Sequence, residues 1–427
     1  MAFPNFGVVF FDNPDNPCQG SASEAGQAVF SITSIGDLKS DVIWITNLEF
    51  DQIRAKRLWN NPKIKRINFF RDDLYKISKE LGLVINSSNV EGLRVLSEIV
   101  NRVMQMAFKH YSIDEVLQSF KDTINKSLMT PLYHLDDGGS GNLLLDQILN
   151  ESFNAYQQCY GEIPPDYITA SLKFSRFTYG QEILDMPVPC GAWSEVKDFP
   201  KGWGVRGVSA SDSPVDYLNS FMDEKPMLVN LVTKNMDSTF AELLDFANGT
   251  NRRQWVTAQE AVLAGMYGDI QIKAIYVAEG YQKISEKIAF ALPNEGITAE
   301  LSISLGILAE NHWTSLASGR KVNIHGVVKD IKPARAVWMR SWDRIMCWKA
   351  AQALKQAGYL VRGYGVGGVD VAVLPARLGP LYEFAASLSL SSPLWILKKY
   401  EEYLSVLALE DGEEGSGGPS EQLRRKV

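Results

Sequence analysis

The chain has 427 residues, 45% of them hydrophobic, 22% charged and 11% aromatic, and carries a formal charge of −7 at pH 7. This is ordinary for a folded protein, and the length suits roughly two to three domains, so collagen, coiled coil and disorder throughout are excluded. No apolar run reaches the roughly 18 to 20 residues of a membrane span. The first residues lack the basic segment of a secretory signal. Cys18, Cys159, Cys190 and Cys347 are too scattered to suggest a disulfide framework or a zinc site. A protein that is not secreted, in the cytoplasm or another reducing compartment and with no membrane partner, is expected.

In chain order, residues 7–11 and 42–46 are short apolar runs that read as strands, separated by the turn-forming Asn-Pro-Asp-Asn-Pro. Helical spacing follows over residues 71–127, with Leu93, Leu96, Val100 and Val103 at steps of three and four. Gly- and Asp-rich residues 135–142 mark a break. A domain edge is placed after it, dividing residues 1–170 from 171–408. Residues 176–208 suggest short strands, and 226–232 another. Thr257 with Glu260 three residues on is a capping box that opens a helix over 257–267, followed by a strand at 270–278. A long helix is expected over 334–357. Gly358 stops it, and two β-rich arms around residues 365–368 form a hairpin. Residues 409–427 are nearly free of apolar side chains and read as a disordered tail.

The acidic average hides two basic stretches. Residues 52–70 hold Arg54, Lys56, Arg57, Lys63, Lys65 and Arg66 and no acid. Residues 313–364 hold ten basic residues against Asp330 and Asp343, a net charge of +8, interleaved with Trp313, Trp338, Trp342 and Trp348. Cations with aromatics suit a nucleic acid, through counterion release and base stacking. The same pattern also suits a helix with its Trp face inward and its Lys and Arg in water.

The cluster Gly363-Tyr-Gly365-Val-Gly367-Gly368 is not a dinucleotide fingerprint. That motif opens a helix, whereas Val-Asp-Val-Ala-Val-Leu here reads as a strand.

Helix, strand, tight hairpin and strand over residues 337–373 resemble the palm of a family B DNA polymerase. Arg344 sits on the helix and Tyr364-Gly365 opens the hairpin, but Val366 and Gly368 stand where the family's Tyr-x-Asp-Thr-Asp-Ser has its carboxylates. Asp212 and Tyr217 keep the Asp and Tyr spacing of the first palm motif, Asp-x2-Ser-Leu-Tyr-Pro. Asn311 keeps the Asn of the fingers motif, whose Lys is Ile307 here. Thr257 and Glu260 resemble a palm helix start. Phe177-Thr-Tyr179-Gly180 resembles the Tyr-x-Gly-Gly junction, and residues 378–400 resemble the entry to a thumb.

The N-terminal third resembles the proofreading exonuclease of the protein-primed branch. Asp12 keeps half of Asp-x-Glu, with Pro14 in place of the Glu. Asn47 and Asp51 fit Asn-x3-Asp, and Asp114 follows His110, which replaces a Tyr.

The resemblance implies a mixed α/β fold: an RNase H-like exonuclease-type domain, then a reduced palm and fingers with a short thumb remnant. It leaves Asp212 and Asp370 as a vestigial polymerase site and Asp12, Asp51 and Asp114 as a vestigial nuclease site. Arg320, Lys321, Lys332, Arg335, Arg340, Arg344, Lys349, Asn47 and Tyr179 are the implied nucleic-acid contacts. No resident cofactor is expected, and Mg or Mn enters only with residual catalysis. The implied function is that of an inactive polymerase-like subunit with nucleic-acid and protein partners in a replication, mobile-element or defence complex. Two alternatives stay open: an active polymerase or 3'-5' exonuclease with atypical carboxylates, and an assembly protein that binds no nucleic acid.

Overall fold

The computed structural model describes residues 5–57, 77–83, 86, 88–111, 143–159, 162–206, 208, 213–237, 240, 246–247, 250–251, 253–284, 299–324 and 327–392. In chain order the elements are β1 (Asn5–Phe11), β2 (Gly20–Glu24), β3 (Phe30–Ile32), β4 (Val42–Thr46), α1 (Phe50–Ala55), α2 (Val90–Tyr111) and α3 (Leu143–Ser152). Next come β5 (Tyr156–Gln158), β6 (Ile168–Phe174), α4 (Arg176–Asp185), β7 (Pro187–Val196), α5 (Pro214–Phe221), β8 (Met227–Lys234), β9 (Phe246–Ala247), β10 (Thr250–Asn251) and β11 (Trp255–Thr257). The chain continues with α6 (Ala258–Tyr267), β12 (Asp269–Lys283), α7 (Ala299–Leu316), β13 (Arg320–Ile324), β14 (Val327–Ile331), α8 (Ala334–Gln356), β15 (Leu360–Gly365), β16 (Gly368–Val373), α9 (Leu378–Ser387) and β17 (Leu390–Ser391). The fold is mixed α/β. Among the described residues no helix is long and apolar enough to cross a membrane.

Three sheets carry the architecture. The first has the order β3-β2-β1-β4, antiparallel except that β1 and β4 run parallel. Parallel strands need a crossover, and the one after β2 and β3 brings the ends of β1 and β4 to the same sheet edge, with Asp12 and Asn47 next in the chain. The second sheet is β11-β8-β12-β7, antiparallel throughout. The third is β17-β6-β16-β15-β5, with the expected hairpin of β15 and β16 at its centre. The expected edge between residues 170 and 171 falls inside β6, and β5, from before that edge, belongs to the same sheet. Ladder hydrogen bonds thus join residues on both sides of it.

The periodicities have visible physical causes. Leu93, Leu96, Val100 and Val103 of α2 are buried with Phe6, Val8 and Phe10 of β1 in one core, which also takes in Phe177 and Ile183 of α4 and Leu305 and Trp313 of α7. Within residues 176–208, where short strands are expected, β7 is a strand, while residues 176–185 form a helix because Phe177, Gly180, Ile183 and Leu184 fall on one buried stripe. Gly180 lets α4 approach α7 closely, since a Cβ there would come 3.0 Å from that of Ala309. The capping box of α6 forms as its sequence dictates: the Thr257 side chain accepts from the Glu260 amide, and the Glu260 side chain from that of Thr257. Residues 63–66, 114, 134–142, 212 and 393–427 lie outside the described residues, so Asp114, Asp212, the expected Gly- and Asp-rich break and the tail do too.

Candidate functional site: the tip of the central hairpin

The arms β15 and β16 are joined by Val366 and Gly367, both with positive φ (53° and 68°), as a two-residue hairpin turn that follows strand twist requires. Glycine takes that conformation freely, but a β-branched residue does so under strain. The backbone of the tip is fully bonded. The Asp343 carboxylate, from α8, accepts the amides of Val366 and Gly367, each at 2.7 Å. The Lys173 ammonium, at the end of β6, donates to the Val366 carbonyl at 2.5 Å, and the Gly367 carbonyl accepts the Phe174 amide at 3.0 Å. Charge-assisted bonds of this kind are the strong ones. They hold a strained valine in place.

Around this knot, Tyr179 donates to Asp343 at 2.7 Å, lies stacked on Phe174 with ring centroids 4.9 Å apart, and meets Trp313 and Trp342 edge-on and tilted. Burial, then the neighbouring Asp343, pushes its hydroxyl well above the usual range for tyrosine. Arg340 places its guanidinium 4.8 Å from the Trp313 ring and donates to the Ala317 carbonyl, while Arg335 donates to that of Leu316. Both cations thus complement the C-terminus of α7.

One turn further along α8, Arg344 is 0% exposed and donates from Nε and Nη2 to Glu260 at 3.0 and 2.8 Å. Arg253 joins the same carboxylate oxygen at 2.9 Å, and Arg344 also bonds the Asn154 carbonyl. Burial alone would raise the Glu260 carboxyl, but Arg253 and Arg344 outweigh it and hold it at about 2. Burial and the like charge of Arg253 lower Arg344 to about 10, against the pull of Glu260. Thr257 and Ser341 share a hydroxyl contact at 2.6 Å. This network ties α8 to α6 and to the start of β5, and so positions the helix that carries Asp343.

The implied nucleic-acid contacts divide accordingly. Arg340, Arg344 and Tyr179 are buried and bonded within the protein. Arg335 is half-buried on Leu316, and Lys332 stands over the Phe153 ring at 4.7 Å. Lys349 is exposed. For Arg320 and Lys321 the backbone alone is described, in the hairpin of β13 and β14, opposite Ile331 and Asp330. Asn47 brackets β1 and β4: its side chain accepts the Phe11 amide and donates to the Phe11 carbonyl, both at 3.0 Å. Within the +8 segment, Arg335, Arg340 and Arg344 of α8 serve acceptors inside the protein.

Asp370 faces Ser171 across the sheet and accepts the Tyr156 hydroxyl at 2.6 Å. Burial, then Asp370, raises that hydroxyl above its ordinary value. Asp12 and Asp51 are exposed near the ends of β1 and β4, and among the described residues no three His, Cys, Asp or Glu side chains group so as to hold a metal. Residues 213–221, which follow Asp212, form α5 beside α6 and the second sheet. In the third sheet the hairpin is flanked instead by β6 and β5. Sequence reading missed Lys173. The available signal was the run Thr-Ala-Ser-Leu-Lys-Phe, which alternates as a strand does just ahead of Phe177.

A pair of catalytic metal ions at the tip would need carboxylates there. Val366, Gly367 and Gly368 supply none, Asp343 has both oxygens on amides, and an ammonium already stands on the carbonyl. A Cβ at Gly368 would come 2.4 Å from the Leu172 carbonyl oxygen and 2.6 Å from Cδ of Lys173. The residues present do not fit a metal pair. Beside the tip, a cavity of about 360 Å³ is lined by Lys173, Ser175, Arg176, Ser302, Ser391 and Ser392 among others. Its Arg176 is held by Glu80 and Glu310, each at 2.8 Å.

No protein-family model and no curated protein matches the chain. Among solved structures, Phi29 DNA polymerase complexed with primer-template DNA and incoming nucleotide substrates is similar over 87% of this chain and 80% of that one, at 9% identity and a TM-score of 0.45. The same polymerase in its post-translocation binary complex with primer-template DNA gives 0.47 at 8% identity, over 86% and 80% of the two chains. Complexed with single-stranded DNA it gives 0.45 at 8% identity, with the same coverage.

Proposed function

We propose that this chain is a polymerase-like nucleic-acid-binding protein whose palm does not transfer nucleotides, and that it works with a protein partner in a replication, mobile-element or defence complex. The observation that carries this reading is the Lys173 ammonium on the Val366 carbonyl, at the tip where the resemblance calls for carboxylates. A cation and a closed set of backbone bonds stand in place of a metal-binding acid pair. The tip is built to be rigid, held by Asp343 and Lys173.

The experiment is a primer-extension and primer-degradation assay with the full chain, Mg or Mn and all four nucleotides, run beside a binding titration of the same primer-template. Binding without incorporation or degradation supports the proposal. Incorporation abolished in Asp370→Ala would refute it in favour of displaced carboxylates, and degradation abolished in Asp51→Ala would point to a working nuclease. A chain that binds no nucleic acid at low salt would instead be an assembly protein.

A further inference from the structure

We infer that the outer face of the second sheet is a binding surface for single-stranded nucleic acid, separate from the hairpin tip; this inference rests on the nucleic-acid reading above. Along β8 and β12, Leu231, Thr233, Ile270 and Ile272 are buried, and the alternate residues Val232, Lys234, Gln271 and Lys273 face the other way. The segment before α5 lies against the end of this sheet, with Gly204 bridged to Ile270. It brings Trp203, 37% exposed, under the Lys234 ammonium at 4.0 Å. Gln271 donates to the Lys201 carbonyl at 2.7 Å and accepts from Lys273 at 2.6 Å.

Lys201, Lys234 and Lys273 are exposed; the Lys234 ammonium stands on the Trp203 indole, and Lys201 and Lys273 are tied to this end of the sheet through Gln271. The acid on the same face, Asp269, is buried, with its oxygens on the Arg206 amide and the Asn235 side chain. Further along, Trp255 and Tyr276 pack with Leu228 against Leu145 and Trp338, so the open part of the face is its Lys234 end. Exposed cations around an aromatic plane match a polyanion that also offers an unstacked base. A duplex would use the lysines and leave the indole idle. The segment that sequence composition marks as basic and aromatic buries Arg340 and Arg344, whereas this face displays Lys234 and Trp203 to solvent.

The test is fluorescence anisotropy of a labelled oligothymidylate with the full chain across a salt series. The variants are Trp203→Ala, Trp203→Phe and the triple variant Lys201→Gln, Lys234→Gln and Lys273→Gln, each checked for native circular dichroism. Trp203→Ala is expected to weaken binding about 5- to 100-fold with an unchanged salt slope, and Trp203→Phe to restore most of it. The triple variant is expected to lower the salt slope by about 2, the effect of roughly three phosphate contacts on a single strand. If the parent binds and the variants bind alike, or if a duplex binds as tightly and ignores Trp203→Ala, the surface assignment fails while the functional reading stands. If the parent does not bind at all, both fail.

Discussion

The Lys173 ammonium donates to the Val366 carbonyl at 2.5 Å, so the end of β6 is pinned to the tip of the hairpin beside it. Lys173→Met keeps the alkyl chain and removes the donor. It is expected to cost about 1 to 3 kcal/mol, the range for leaving a sheltered acceptor unsatisfied, as a lower urea midpoint with an unchanged m-value.

Restoring an acid at the tip should not restore a metal site. Gly368→Asp brings a Cβ to 2.4 Å from the Leu172 carbonyl oxygen, a backbone atom that has no rotamer to escape through. A loss of about 2 kcal/mol or more is expected from the forced strand shift. Thermal unfolding with and without Mn checks this: the variant should melt lower than the parent, and Mn should not raise its midpoint.

Val366 holds φ at 53° against its β-branched preference. Val366→Asn puts a residue tolerant of left-handed backbone at the same place, and the amide bonds to Asp343 do not depend on the side chain. The relief of about 1 to 2 kcal/mol exceeds the packing lost by a half-buried valine, so a net gain of about 0.5 to 1 kcal/mol is expected in chemical denaturation.

Glu260 lies well below its ordinary carboxyl value, so the folded state binds its proton less readily than the unfolded chain. The resulting stability is present above about pH 4.5 and is lost as the pH falls toward 2. Glu260→Gln removes the acid that Arg253 and Arg344 share. It is expected to cost about 3 to 5 kcal/mol, as breaking a buried pair does, and to flatten stability between pH 4.5 and 2 relative to the parent.

Much of the fold was legible in the sequence. The hairpin at residues 360–373, the long helix of Arg344 and the Thr257 capping box follow from local rules of period, turn and cap, and each formed within a few residues of its expected place. The α4 helix was not legible as such, because residues 176–185 pack Phe177 and Gly180 against α7, from a distant part of the chain. The site was less legible still. Whether Arg340 and Arg344 meet solvent or a buried acid depends on what covers α8, and that is decided by α6 and α7. Lys173 reads as one more strand residue until β6 is seen beside β16, since sheet neighbours separated by nearly two hundred residues leave no local pattern. Trp203 and its lysines are spread over three segments and gather only through the register of β8 with β12.

The proposal that the hairpin tip is a structural knot in a nucleic-acid-binding protein is tested by following one labelled primer-template with the full chain, Mg or Mn and nucleotides, reading binding by anisotropy and the primer's length in the same sample. Salt-sensitive binding with the primer unchanged in length is expected. A primer that grows in a template-dependent way, with the growth lost in Asp370→Ala, would contradict it.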